Sequence, residues 1–389
     1  MPPAKKICLI TNRYPTYADD VASPFVRDFH LGLKEKGVEV SVFTPHYQSE
    51  RENWTNDIVR FHWRGGKKVV GSLNFLNPLE MFQLFSFMRN GRRQLFEHLR
   101  NTTPTSCLAL WALPSGWFAY QAKRKLGIPY SVWCLGSDIY VWAKRPVLRG
   151  LTRKILQGAD HLFADGFDLK EKVEKLSGNK CIFLPSMRKL PQGFEEKEKL
   201  DNGRFNFLYI GRWEKDKGLD TLIPAFDVLI HQLSKVNLYI LGWGSYEKEI
   251  RKQMRNLDLE EHIKIIGKVT TNSVANYMEQ ADCVVIPSKG DSIPLVFSEA
   301  LQMGTPLIVT DVGDLGYLVR RFKLGKVVIP GDIDSLAKAM IEFVKEDNNY
   351  YENIPEALKL LDIENAVNDY LNILDPLITP QAHLKLIKA

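Results

Sequence analysis

Two carboxylates eight residues apart, Asp291 and Glu299, lie in the stretch PSKGDSIPLVFSEALQMGTPLIVT, residues 287–310. The apolar run Cys283–Ile286 has the composition of a buried parallel strand, Pro287 and Ser288 stop it, and Val296–Met303 carries a helical period that ends at Gly304. The acids therefore fall in and just past a strand-to-helix turn. In an open α/β sheet such a turn lies at the carboxyl ends of the strands, where ligands bind. The backbone N–H groups of Ser292, Ile293, Leu295 and Val296 would face an anion there. Glu299, one turn into the helix, is placed to accept hydrogen bonds from ribose hydroxyls.

Upstream, residues 209–218 read YIGRWEKDKG. Gly211 lets the turn approach a ligand closely, and Arg212 and Lys217 supply two cations that can hold a diphosphate as its negative charge grows on departure. The arginine offers a forked contact to phosphate oxygens and the lysine a compact charge. A further turn, LGWGS at 241–245, has Gly242 and Gly244 but Glu247 where a dinucleotide fingerprint needs its third glycine. A turn lining a nucleotide site and a purely structural turn both fit this pair.

These motifs resemble those of the retaining family 4 glycosyltransferases. The family's donor motif, P-S-x-x-E-x-F-G-x-x-x-x-E-A-x-x-x-G-x-P, matches at most positions of 287–306; Asp291 replaces the first Glu and Ile293-Pro294 replace Phe-Gly. Residues 211–218 are similar to its G-R-(x)n-K-G loop, and 241–245 to its strand-ending G-x-G turn. Residues 130–140, YSVWCLGSDIY, resemble the strand that leads to H-G-x-D, with Leu135 in place of the histidine and Gly136 and Asp138 retained. The resemblance implies Glu299 on the ribose and Asp291 on the donor sugar. Asp138 either accepts a hydrogen bond from a sugar hydroxyl or orients the acceptor; it is equally readable as a helix N-cap before Ile139-Tyr140.

What the resemblance implies about activity is a hexosyl transfer from a nucleotide-diphosphate sugar to a glycan or lipid-linked acceptor of cell-envelope polysaccharide synthesis, with retention. The donor is a co-substrate and no separate cofactor is expected. With no residue placed as a covalent nucleophile, the implied path is front-face, with Arg212 and Lys217 holding the leaving diphosphate. Two rival activities fit the same fold: a sugar-nucleotide 2-epimerase, and a catalytically degenerate nucleotide-sugar or glycan-binding partner.

Strand-like runs alternate with helical ones along the whole chain, which points to α/β architecture with doubly wound, mostly parallel sheets. A charged segment bearing Pro and Gly, residues 188–204, reads as a linker between two such domains. The expected organisation is an acceptor-binding Rossmann-like domain over 1–187, the linker, and a nucleotide-sugar-binding Rossmann-like domain over 205–363. The resemblance makes this the GT-B fold, two domains facing a central cleft, and predicts that a helical tail, 364–389, returns to the first domain.

The 389 residues suffice for two cores. Their charge is uneven: residues 1–190 hold 29 Lys and Arg against 16 Asp and Glu, and the remainder 23 against 30. A basic first half suits an anionic surface or substrate. Residues 78–100 place Met81, Leu84, Phe85, Met88, Leu95, Phe96 and Leu99 at helical spacing beside Arg89, Arg92, Arg93 and Arg100, with Gly91 weakening a single continuous helix. That stripe is readable as core or as contact with an anionic membrane. No nucleic-acid motif accompanies the charge, so nucleic acid is not an expected partner. Asp332-Ile333-Asp334 reads as a helix start, and the eight histidines have no ligand spacing, so no metal is expected. Five dispersed cysteines, in mostly apolar runs, read as buried thiols. With no signal peptide and no bilayer-length apolar run, the expectation is a cytoplasmic protein; the membrane reading of residues 78–100 would make it peripheral on the cytoplasmic face of the membrane.

Overall fold

The computed structural model describes residues 5–17, 20, 23–47, 57–74, 76–192, 199–346 and 349–374. The chain forms two compact units: Met1–Ser186 with Ile363–Ala389, and Met187–Asp362.

Unit 1 begins β1 (Lys6–Ile10), α1 (Pro24–Glu35), β2 (Glu39–Pro45), β3 (Ile58–Phe61), α2 (Pro78–Thr102) and β4 (Ser106–Leu110). It continues α3 (Ser115–Leu126), β5 (Tyr130–Cys134), the short α4 (Ser137–Tyr140), α5 (Pro146–Gly158), β6 (His161–Ala164), α6 (Phe167–Ser177) and β7 (Cys181–Phe183). Its seven strands run in the order β3-β2-β1-β4-β5-β6-β7, every pair parallel. Helices cover both faces of such a sheet, so its central strands are mostly apolar, and β5 is buried at every residue.

Unit 2 comprises β8 (Phe205–Arg212), α7 (Leu219–Ile230), β9 (Val236–Trp243), α8 (Glu247–Asn256), β10 (Ile263–Gly267), α9 (Thr271–Gln280) and β11 (Cys283–Ile286). Then come α10 (Leu295–Gln302), β12 (Leu307–Thr310), α11 (Leu315–Phe322), β13 (Gly325–Val328), α12 (Ile333–Lys345) and α13 (Ile354–Leu360). Its order is β10-β9-β8-β11-β12-β13, again all parallel. Strand order reverses between β8 and β11, and in open α/β sheets the crevice beyond the carboxyl ends at that reversal is the binding position. The alternation of apolar runs read from the sequence does not include β3, α6, α11 or α13.

α14 (Ile363–Leu374) packs on α1 within unit 1. Tyr370 is fully buried, with its ring centroid 5.5 Å from those of Phe29 and Phe163. A Cβ on Gly32 would lie 2.9 Å from Val367 Cγ2, so the glycine lets the two helices approach. Residues 375–389 of the expected tail lie outside the described residues.

Two sequence expectations change. Gly91 does not interrupt α2, which is one helix of 25 residues; the glycine is buried, and a Cβ there would meet the Phe118 ring at 2.6 Å. The absent side chain is what allows α2 to rest on α3. The segment 188–204 is no free tether at its ends: Leu190 and Leu200 are buried, and the Gln302 side chain accepts from Leu190 N and donates to Arg188 O, both at 2.9 Å. Residues 193–198 lie outside the described residues.

Candidate active site

In unit 2, β8 delivers Arg212 to the carboxyl edge of the sheet, where it is exposed and its guanidinium has no hydrogen-bonded partner among the described residues. Tyr209, buried beneath, donates its hydroxyl to Arg212 O at 3.0 Å and lies within 3.0 Å of where a Cβ on Gly211 would stand. The chain then makes a tight turn through Lys215–Lys217 into Gly218, whose φ of 77° is in the left-handed region. A Cβ on Gly218 would sit 1.9 Å from Pro287 O. Only glycine permits that approach, and it brings the β8–α7 turn against the β11–α10 turn.

The two turns are joined by ionic contacts. Lys217 Nζ donates to both carboxylate oxygens of Asp291, at 2.6 and 2.8 Å. Lys289 N donates to Asp216 O at 2.8 Å, and Lys289 Nζ to Asp220 at 2.6 and 2.8 Å. From the other side, Gly313, after β12, has φ 51° and would place a Cβ 2.1 Å from Asp291 O. Sequence reading missed Lys289, Asp220 and Gly313; a lone G in an unmarked turn carries no signal until its neighbour is known.

At the start of α10, Pro294 occupies the N-cap and offers no side-chain cap. Leu295 and Val296 are partly exposed there, and theirs are among the first N–H groups of the helix, which have no acceptor within it. Ser292 and Ile293 are buried, and Ser292 Oγ meets no hydrogen-bond partner. Lys217, Asp291 and this helix start therefore converge at the reversal of strand order.

Glu299 is placed differently from the expectation. It is 3 % exposed, and one oxygen accepts a hydrogen bond from Arg188 Nε in an ion pair buried on both sides. Arg188 Nη1 lies 3.5 Å from Thr271 Oγ1. The period alone decides whether a helical side chain points toward solvent or core, and Glu299, in the second turn of α10, falls on the buried side. Its partner comes from the charged segment read as linker.

Gly242 and Gly244 abut the end of β8. A Cβ on Gly242, φ 127°, would lie 1.8 Å from Gly211 O, and one on Gly244 would lie 2.2 Å from Trp213 O. The backbone closes this corner through Trp213 N to Trp243 O and Tyr246 N to Trp213 O, each 2.9 Å. Of the two readings of this turn, close packing has direct geometric support. Glu214 accepts from Ser245 Oγ at 2.6 Å, and that bond holds its carboxyl below the usual range.

In unit 1, Gly136, φ 98°, turns the chain into α4. Asp138 is not an N-cap. It is 1 % exposed, and its carboxylate accepts from Ala112 N at 2.8 Å and Leu135 N at 3.3 Å, pinning the β4–α3 and β5–α4 loops together. Burial raises its pKa, against the lowering effect of those bonds. Asn12 adds a third loop, donating to Leu113 O at 3.2 Å and accepting from Ser115 Oγ at 2.7 Å. In the loop after β1, Asp20 accepts from Thr16 N at 2.9 Å.

Among the described residues no three of His, Cys, Asp and Glu gather closely enough to hold a metal ion. Asp332 caps α12, accepting from Ser335 N at 3.0 Å. All five cysteines are free and buried. No described helix is long and apolar enough to cross a membrane.

Residues 192–359 match the family model described as glycosyl transferases group 1, and residues 22–179 match that of the glycosyl transferase 4-like domain. A Bacillus subtilis glycosyltransferase provisionally assigned to teichuronic acid biosynthesis, TuaC, is 28 % identical over 368 residues, 88 % of this chain and 90 % of that protein. An uncharacterized glycosyltransferase of Methanocaldococcus jannaschii is 24 % identical over 238 residues, 61 % of this chain and 64 % of that protein's length. Among solved structures, Anabaena HepE in complex with UDP-glucose superposes with a TM-score of 0.71 at 15 % identity, over 95 % of this chain and 99 % of that one, a likeness of fold.

Proposed function

Because the chain belongs to the group 1 glycosyl transferases, we propose that it is a retaining enzyme moving a hexosyl group from a nucleoside diphosphate sugar to a glycan or lipid-linked acceptor in cell-envelope polysaccharide synthesis. The observation that carries the proposal is the convergence of Lys217, Asp291 and the uncapped start of α10 at the carboxyl ends of β8 and β11, with Arg212 exposed beside them. Two cations and the first N–H groups of an uncapped helix suit a diphosphate there. UDP-glucose in the structure of HepE supports a donor of this class on this fold.

In the reaction the bond from the anomeric carbon to the diphosphate oxygen breaks, and the acceptor oxygen bonds to the same face. Its proton passes to the departing diphosphate. Arg212 and Lys217 stabilise the charge that grows on that group, an effect worth most in the transition state. Asp291, which holds Lys217 in place, faces the donor sugar and accepts from its hydroxyls. Glu299 meets the ribose through whatever part of its carboxylate Arg188 leaves available.

Incubation with UDP-, GDP- and ADP-sugars and candidate acceptors, followed by mass spectrometry, tests this. The expected product is a glycosylated acceptor plus nucleoside diphosphate, with the anomeric configuration kept. An epimerised sugar nucleotide formed without acceptor would assign a 2-epimerase instead, and binding with no turnover would assign a degenerate partner.

A further inference from the structure

The helix α2 buries one side against unit 1, through Phe87, Gly91, Leu95 and Leu99. Its opposite side, residues 82, 85, 89, 92, 93 and 100, follows helical spacing and is exposed at every one of these positions. Phe82 and Phe85 stand at its first end, Phe85 at 60 % exposure. Leu76 at 92 %, Leu79 at 65 % and the half-exposed Met81 extend the apolar area into the helix entry. Arg89, Arg92, Arg93 and Arg100 occupy the rest of the same side, and among the described residues none of their side chains makes a hydrogen bond or ion pair. Arg64, from the preceding loop, lies with its guanidinium carbon 5.6 Å from the Phe82 ring centroid.

We infer that this side of α2 seats the protein on an anionic lipid surface. Five large apolar side chains in ten residues form a patch of the kind monomers seldom leave in water. An apolar segment continuing into a row of unpaired arginines on one helix face matches a bilayer interface, where acyl chains take the aromatic end and lipid phosphates the guanidinium groups. A second copy of this chain is a poor occupant. A two-fold contact through this face would set the arginines either against one another or against the apolar end of the partner helix, and in neither case against a row of anions. Nucleic acid would satisfy the arginines and leave the aliphatic Leu76, Leu79 and Met81 unmatched. The helix, about 37 Å long at 1.5 Å per residue, lies along such a surface and does not cross it.

The test is flotation of the full chain with phosphatidylcholine vesicles, with and without about 30 % phosphatidylglycerol, in about 0.1 M salt. We expect at least about tenfold stronger partition onto the anionic vesicles, and release as salt rises to about 0.5 M. Phe82→Ser/Phe85→Ser and, separately, Arg89→Glu/Arg92→Glu/Arg93→Glu should each lower partition about tenfold or more while leaving the melting temperature and its upward shift with UDP unchanged. Phe85→Ser alone should show a smaller loss and guards against misfolding of the double variant. Equal binding to neutral vesicles, binding to neither, or variants that bind as the parent does would overturn the inference. So would a dimer, seen by light scattering, that Phe82→Ser/Phe85→Ser dissolves. Vesicle binding is read without donor or acceptor, so its failure is distinguishable from failure of the transferase reading.

Discussion

Arg188 and Glu299, 111 residues apart in the chain, form an ion pair that is buried on both sides within unit 2. Taking two charges from water is unfavourable, and removing one partner leaves the other uncompensated. The pair also ties the first residues of unit 2 to the helix whose start lies in the proposed donor site.

Arg188→Ala should therefore lower the stability of unit 2 by about 3 kcal/mol or more, and Glu299→Gln by about 1–3 kcal/mol. The combined variant Arg188→Met/Glu299→Gln should recover part of the loss, because no charge is then stranded. Thermal and urea unfolding of the ligand-free chain reads all three. In the presence of donor, Glu299→Gln should also weaken nucleotide-sugar binding, and unchanged affinity would remove Glu299 from the ribose.

Lys217→Ala and Arg212→Ala should each reduce turnover by about 100-fold or more and donor affinity by less, since their contacts strengthen as the diphosphate departs. Lys217→Ala also frees the Asp291 carboxylate beside the proposed diphosphate position. Adding Asp291→Asn should then restore some donor affinity, although not turnover. Steady-state kinetics separates these outcomes, and full activity in both single variants would dissociate the loop from catalysis.

Gly218→Ala and Gly242→Ala should disrupt the corner that presents Arg212 and Lys217. Each new Cβ would meet a carbonyl oxygen, at 1.9 and 1.8 Å, with φ already in the left-handed region. We expect a loss of about 2 kcal/mol or more for either, read as a fall in melting temperature. Gly290→Ala, with nothing within 4 Å of its Cβ, serves as the control.

Acid should destabilise unit 1 through His30. Its ring is buried, hydrogen-bonded to the Tyr14 hydroxyl at 2.8 Å and 3.4 Å from Asp57. Burial lowers its pKa from 6.5 to about 4, and the nearby carboxylate only partly offsets this. A depressed folded pKa means that the unfolded chain binds the proton more readily between these values. The stability this histidine contributes is thus complete above pH 6.5 and is lost as pH falls toward 4. Melting temperature against pH should fall across that window, and His30→Gln should flatten that part of the profile.

EDTA should leave transfer intact, because side chains and a helix start suffice to meet the diphosphate charge in the proposed mechanism. Activity lost to EDTA and recovered only with Mg²⁺ or Mn²⁺ would overturn that expectation.

The alternation of apolar runs revealed both sheets, because a parallel strand buried on two faces, such as Cys283–Ile286, cannot be written in polar residues. Crossover helices with thin apolar stripes were harder to read. α6 buries only Leu169, Val173 and Ser177, and α11 spans eight residues. In the site, residue type and spacing brought forward Arg212, Lys217 and Asp291, whose chemistry is local to two turns. Glu299 was legible as a helical acid, but its partner was not, since period assigns a face and says nothing of a side chain 111 residues away. Gly91 shows the same limit: propensity weighs it as a helix breaker, whereas its reason for being there is the Phe118 ring of another helix.

The return of α14 to α1 has a consequence for the order of manufacture. A ribosome completes β1 through β7 early, then makes all of unit 2 before it emits Val367 and Tyr370, the side chains that close over Gly32, Phe29 and Phe163. The first unit to be synthesised is the last to be finished, and throughout that interval its nascent form presents an uncovered aromatic seam that the completed chain conceals.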